Sequence, residues 1–171
     1  MKHLQKVFGD IYDRYVEKIY RFVYIKVNSS EIAEDLTSET FLRCWQKFKK
    51  ESDKIENIQA FLYQIARNLV VDYYRQKGRM QFVPAEKIAA VDPHPTIEEK
   101  AFIDSDLEEV KTAVRRLKNE YQEIVIWHYI DDLSVPEIAG ITNKSEGAIR
   151  VMLHRALKAL KDEVQNKTKE A

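Results

Sequence analysis

Apolar residues recur at three- and four-residue steps along most of the chain, the spacing of amphipathic helices. Phe8, Ile11, Tyr12, Tyr15, Ile19, Phe22 and Val23 mark a first helix. It ends at "VNSS", where Ser29 or Ser30 is placed to cap a second helix, with Glu31 and Glu34 near its positive end. That second helix turns Ala33, Leu36, Phe41, Cys44, Trp45 and Phe48 inward. The polar stretch "KKESDKIEN" separates it from a third, expected from about Ile58 to Lys77. Phe61, Leu62, Ile65, Ala66, Leu69, Val70 and Tyr73 form its inner side. Three helices sharing one core predict a compact N-terminal domain over residues 1–77.

After Gly78 the periodicity breaks. Pro84, Pro93 and Pro95 fall within a short span, and proline blocks helix continuation and biases its predecessor toward extended backbone. Residues 78–104 therefore read as a linker, since a structureless stretch this long is unusual inside one domain. Helical spacing returns with Leu107, Val110, Val114 and Leu117 and continues through Ile124, Val125, Trp127 and His128. No strand alternation stands out. The expected fold class is all-α: two small helical domains joined by a proline-containing linker, the second over residues 105–171.

Within the second domain, "DDLSVPEIAGITNKSEGAIRVMLHRALKAL" predicts a helix–turn–helix. Ser134 to Glu137 fits the capping box S-x-x-E, with Pro136 in the first turn where a missing N–H is harmless. The helix that starts at Val135 is too short to stand alone, so it must pack through Val135, Ile138, Ala139 and Ile141. Asn143 tolerates the left-handed backbone of a tight turn, and Ser145 is placed to cap the next helix. At about 100° per residue, Arg150, His154, Arg155, Lys158 and Lys161 share one side of that helix. Ile149, Leu153, Ala156, Leu157, Leu160 and Val164 share the other. Gly147 and Ala148 are small, so nothing bulky blocks approach to DNA near its start. In this docking mode the second helix enters the major groove, with arginine able to bond guanine bidentately and lysine mainly neutralising phosphate.

Charge sharpens this picture. The 28 basic and 28 acidic residues cancel, so any nucleic-acid surface must be local. Residues 81–171 carry 13 basic and 17 acidic side chains, yet Lys144 to Lys161 holds five basic residues and one acid. That concentration is an electrostatic footprint. The lone Cys44 permits no intrachain disulfide and suits a reducing compartment, and it sits on an apolar stripe. His3, His94, His128 and His154 have no metal-ligand spacing, so neither metal nor cofactor is expected. No apolar run approaches the roughly 20 residues needed to span a bilayer. "MKHLQKVFGDIYDRY" is too polar for a signal peptide, so a cytoplasmic protein without membrane insertion is expected. Asp131-Asp132 is the only tempting acid pair, and it fits the turn before Ser134 better than a catalytic site; no enzyme is expected.

Two other surfaces remain open on the residues alone. On the third helix Asn68, Asp72, Arg75 and Arg79 share a side next to Arg67, with Tyr74 nearby. This track suits single-stranded or opened DNA, and equally a helix end whose dipole favours cations. On the second helix Asp35, Ser38, Glu39, Leu42 and Arg43 run opposite the apolar stripe. They suit a docking surface for another protein, or a solvated face with one exposed leucine.

Taken together, these segments resemble the extracytoplasmic-function sigma factors, the small two-domain bacterial sigma factors. "AEDLTSETFLRCWQKF" looks like their core-polymerase-binding segment, and "AFLYQIARNLVVDYYRQKGR" is similar to the segment that reads and helps melt the −10 element. "YQEIVIWHYIDDLSVPEIAGITNKSEGAIRVMLHRALKAL" resembles their −35-reading domain. The resemblance implies that Asp35, Glu39, Leu42 and Arg43 contact the clamp helices of the largest subunit of core RNA polymerase. It implies that Asn68 lines a pocket for a flipped −10 base, with Asp72, Arg75 and Arg79 beside it, and that residues 47–57 form the loop selecting that base. It places Ser145, Gly147, Arg150, His154 and Arg155 toward the −35 element and Lys158 on the backbone. The implied partners are core polymerase, promoter DNA and an anti-sigma factor. The sequence departs from the family pattern at Ser38, Asn143 and Lys144, and at Met152 and Leu157, positions often basic in the family; fewer cations on the recognition helix bear on −35 strength and sequence, not on docking mode.

Two rival readings compete with this one, and the helical N-terminal half speaks against the first. A response-regulator-like activator shares the C-terminal motif but needs an α/β receiver domain. A helical adaptor that binds only protein would make no use of Arg150 and Arg155.

Overall fold

The computed structural model describes the backbone of residues 1–80 and 105–170, and side chains over 1–78 and 108–166. The chain divides into two compact units, Met1–Pro95 and Thr96–Ala171. No strand occurs among the described residues.

The first unit is built from α1 (Lys2–Val27), α2 (Ser30–Glu51) and α3 (Ile58–Met80), each packed on the other two. Asn28 ends α1 in the left-handed conformation, φ 53° and ψ 37°, and its N–H donates to the Tyr24 carbonyl at 2.8 Å. The next residue, Ser29, is the cap of α2: its side chain accepts from the Ile32 N–H at 3.3 Å. Ile19, Phe22 and Val23 of α1 meet Ala33 and Cys44 of α2 and Leu62, Tyr63 and Ala66 of α3 in a closed core. Phe22 and Tyr63 pack edge to face at 5.6 Å. Thr40, fully buried, satisfies its hydroxyl on the Leu36 carbonyl at 2.7 Å.

Two boundaries differ from expectation. Lys47–Glu51 belongs to α2 rather than to a loop, because no glycine or proline interrupts it and Glu51 pairs with Lys47 one turn back. The connection to α3 is accordingly short: a 3₁₀ turn over Ser52–Lys54, then Asn57, whose side chain accepts from the Ala60 N–H at 3.0 Å. At its far end α3 continues through Gly78 to Met80, past the expected stop at Lys77. From residue 81 to 104 the expected linker lies outside the described residues.

The second unit contains α4 (Ser105–Arg116), α5 (Asn119–Val125), a π turn (Ile126–Ile130), α6 (Val135–Thr142) and α7 (Glu146–Glu170). Helix α7 packs against α4, α5 and α6 and is the hub of the unit. Its Ile149, Leu153 and Ala156 join Val114, Ile124, Trp127, Leu133, Ile138 and Ile141 in the core. Val110, expected inward, is 38% exposed; Ala113 and Val114 carry the buried side of α4, and Leu117 just past its end is buried too. The π turn brings the chain round to α6. Asp132 adopts φ 56°, the Leu133 N–H donates to the Trp127 carbonyl at 2.8 Å, and His128 Nδ1 lies 2.9 Å from the Leu133 carbonyl. No helix among the described residues is long and apolar enough to cross a membrane.

Candidate nucleic-acid interface

The helix–turn–helix is set by local chemistry. The Ser134 hydroxyl accepts from the Glu137 N–H at 3.2 Å, and the Glu137 carboxylate accepts from the Ser134 N–H at 3.1 Å. Both halves of the capping box are thus present, and α6 begins at Val135. Asn143 makes the turn at φ 57° and ψ 32°. Ser145 then starts α7, its hydroxyl accepting from the Ala148 N–H at 3.1 Å. Ile138 and Ile141 of α6 are buried, which holds the short helix on α7.

With Ile149, Leu153 and Ala156 fixed inward, the helical pitch leaves the opposite side of α7 in solvent. Ser145, Gly147, Arg150, His154, Arg155, Lys158 and Lys161 are all exposed. Arg150 lies 3.7 Å from Glu146, a surface pair that orders the guanidinium loosely without withdrawing it. Lys144 is turned aside: its Nζ lies 3.7 Å from Met152 Sδ. The ridge also contains Val151, 49% exposed, which sequence reasoning passed over.

On α3, Asn68, Asp72 and Arg75 are exposed on one side, and Arg67 beside them is half-buried. Arg75 and Asp72 stand 3.9 Å apart. The side chain of Arg79 falls outside the described residues. Tyr74, near this track, is anchored: its hydroxyl donates to the Lys26 carbonyl at the end of α1, while the ring remains partly exposed. Lys77 lies over the Tyr73 ring, 5.6 Å from its centre.

On α2, Asp35, Leu42 and Arg43 are exposed, and Glu39 accepts from Arg43 Nε at 2.7 Å. Leu42 is 51% exposed and stands at the rim of a groove of about 500 Å³ between α1 and α2. Phe8, Gly9, Tyr12, Phe41 and Trp45 line it. Tyr12 belongs to the apolar stripe that marks the first helix; its ring packs 4.9 Å from Phe41 yet remains 45% exposed, as a groove wall rather than a core residue. Periodicity alone could not reveal this, because a groove wall and a core residue share the same stripe. No group of three His, Cys, Asp or Glu able to hold a metal ion occurs among the described residues.

Comparison with known proteins fits this layout. Family models of sigma-70 region 2 and sigma-70 region 4 match residues 11–80 and 107–160. The sigma factor BldN of Streptomyces coelicolor is 35% identical over 154 residues, covering 90% of this chain; the chain spans 58% of that relative's length. SigW of Bacillus subtilis is 28% identical over 171 residues, covering 95% of this chain and 91% of SigW. The sigma factor RpoE of Bartonella quintana, solved with the anti-sigma factor NepR, shares the fold at a TM-score of 0.72 and 23% identity. That likeness covers 94% of this chain and 98% of RpoE. The chain belongs to the sigma-70 family, as a sigma factor of the extracytoplasmic-function type. This is a family of transcription initiation factors, not of enzymes.

Proposed function

We propose that this protein attaches to core RNA polymerase and directs it to promoters by reading two DNA elements. The outward ridge of α7 carries the reading: Arg150, His154, Arg155 and Lys158 are all exposed on a helix whose other side is locked into a core. That ridge enters the major groove of the −35 element, with Arg150 and Arg155 toward base edges and Lys158 toward phosphate. The exposed Asn68 side of α3 takes the −10 element, and an unstacked base held beside Asn68 offsets part of the few kcal/mol or so of opening cost. The base-selecting segment narrows to residues 52–57, the part before α3 that is free of α2.

Asp35, Glu39, Leu42 and Arg43 dock on the clamp helices of the largest polymerase subunit. An exposed leucine at the rim of an apolar groove, with an ordered ion pair beside it, supports a protein-binding face. An anti-sigma factor is a further proposed partner, as RpoE of the same fold is held by one. The work takes place in the cytoplasm, where polymerase is.

The test is transcription in vitro with purified core polymerase over a promoter library. Promoter-specific initiation is expected, and it weakens when Arg150 and Arg155 are changed to alanine. Initiation no more specific than that of core polymerase alone ends this reading.

A further inference from the structure

The outward ridge of α7 is cationic and polar except at one place. Val151 stands 49% exposed between Arg150 and Arg155. At about 100° per residue it falls between Lys158 and Arg155 around the helix, in the middle of the basic stripe. A branched aliphatic side chain there contributes little to the fold. It buries little surface, and valine is a weaker helix former than lysine or alanine.

The ground around it is open. Gly147, one turn earlier, carries no side chain, and a Cβ built there meets nothing within 4 Å. Helical side chains lean toward the N-terminus, so Val151 leans over that bare surface. Lys144 is drawn off toward Met152, and Arg150 stays exposed on the ridge beside Glu146. The result is a small apolar spot flanked by cations, in the half of α7 nearer the turn. Cations on both sides suit a phosphate-walled groove. Within the major groove, base edges offer donors, acceptors and a single kind of apolar group, the C5-methyl of thymine.

We infer that Val151 is a specificity residue that packs on the C5-methyl of one thymine in the −35 element. The inference rests on the promoter-reading proposal above. It assigns a preference that no arginine or lysine of the ridge supplies, because a cation does not detect a methyl group.

The test uses the full chain with core polymerase on promoters selected from the library. Each thymine of the −35 element, on either strand, is replaced in turn by deoxyuridine, which removes the methyl and keeps the base pair. At one position initiation falls about fourfold, the worth of one buried methyl-sized group. Val151→Ser loses a similar factor on the thymine promoter and shows no further loss with deoxyuridine there, as a coupled pair must. Val151→Thr, which keeps one methyl in nearly the same shape, falls between. The inference is overturned if the selected element has no thymine, if every thymine tolerates deoxyuridine, or if Val151→Ser retains the full sensitivity. Absence of any promoter-specific initiation defeats the promoter reading and this inference with it. Specific initiation that is indifferent to the methyl defeats this inference alone.

Discussion

At the scale of single residues, the chemistry divides into side chains sealed from solvent and side chains held out in it. Cys44 is the sealed extreme: it has no exposed surface, and burial pushes its thiol from an ordinary 9.0 up to about 12. At neutral pH its thiolate fraction is then about a thousandfold below that of a free cysteine, so the folded protein resists iodoacetamide. Mass spectrometry should find it unmodified when folded and alkylated in urea. The same shift sets a pH dependence. The folded state keeps a proton that the unfolded chain releases, so stability falls as pH rises above the ordinary thiol value. The outward extreme is the α7 ridge, where two cations should behave differently. Arg150→Ala should lose about 1–3 kcal/mol at one base-pair position and relax specificity there. Lys158→Ala should weaken all promoters alike and reduce the slope of log affinity against log salt by about one, the signature of a lost phosphate contact. A selection over randomised −35 elements, repeated at several salt concentrations, separates the two.

At the scale of elements, α6 is the informative case. Eight residues are too few for a stable helix in water, so its existence depends on its cap and on the burial of Ile138 and Ile141. Ser134→Ala removes one half of the capping box and should destabilise the C-terminal unit by about 1 kcal/mol, a fall in Tm of about 5 °C. Melting followed through the buried Trp127 in a Trp45→Phe background reads this directly. Asn143→Ala should be similarly harmful and Asn143→Gly harmless, since only the left-handed backbone matters there. These features were legible in the sequence because each is a local rule: S-x-x-E makes a cap wherever it occurs, and asparagine tolerates positive φ. The outward side of α7 was legible for the same reason, once its aliphatic stripe fixed the pitch. What escaped was what neighbours decide. Tyr12 and Phe8 lie on one apolar stripe, and only the spacing of α1 against α2 makes them groove walls. Lys47–Glu51 is polar enough to read as a loop, and pairing within α2 keeps it helical. Val151 was passed over because a single exposed valine means nothing until its surroundings are seen.

At the scale of the whole molecule, coupling between the two units is decisive. The 28 basic and 28 acidic residues leave no net charge to draw the chain onto DNA at long range. Each reading surface is small: one ridge of α7, and one side of α3. Neither should hold a promoter firmly alone, and the proposed activity therefore depends on the two units sharing one chain and one polymerase. Covalent connection makes the second contact intramolecular, at effective concentrations that reach about the millimolar range. Residues 1–80 and 105–171, supplied as separate polypeptides at about micromolar concentration, forfeit that advantage, and avidity of about 10²- to 10⁴-fold is what is at stake. Initiation from a two-element promoter should fall by about a hundredfold or more in this split form, and should recover as the C-terminal piece is raised toward the millimolar range. The N-terminal piece should meanwhile still bind core polymerase in a pull-down, because Asp35, Glu39, Leu42 and Arg43 all lie within it. Equal initiation by the split and intact forms would mean that polymerase itself, rather than the chain, brings the two surfaces together.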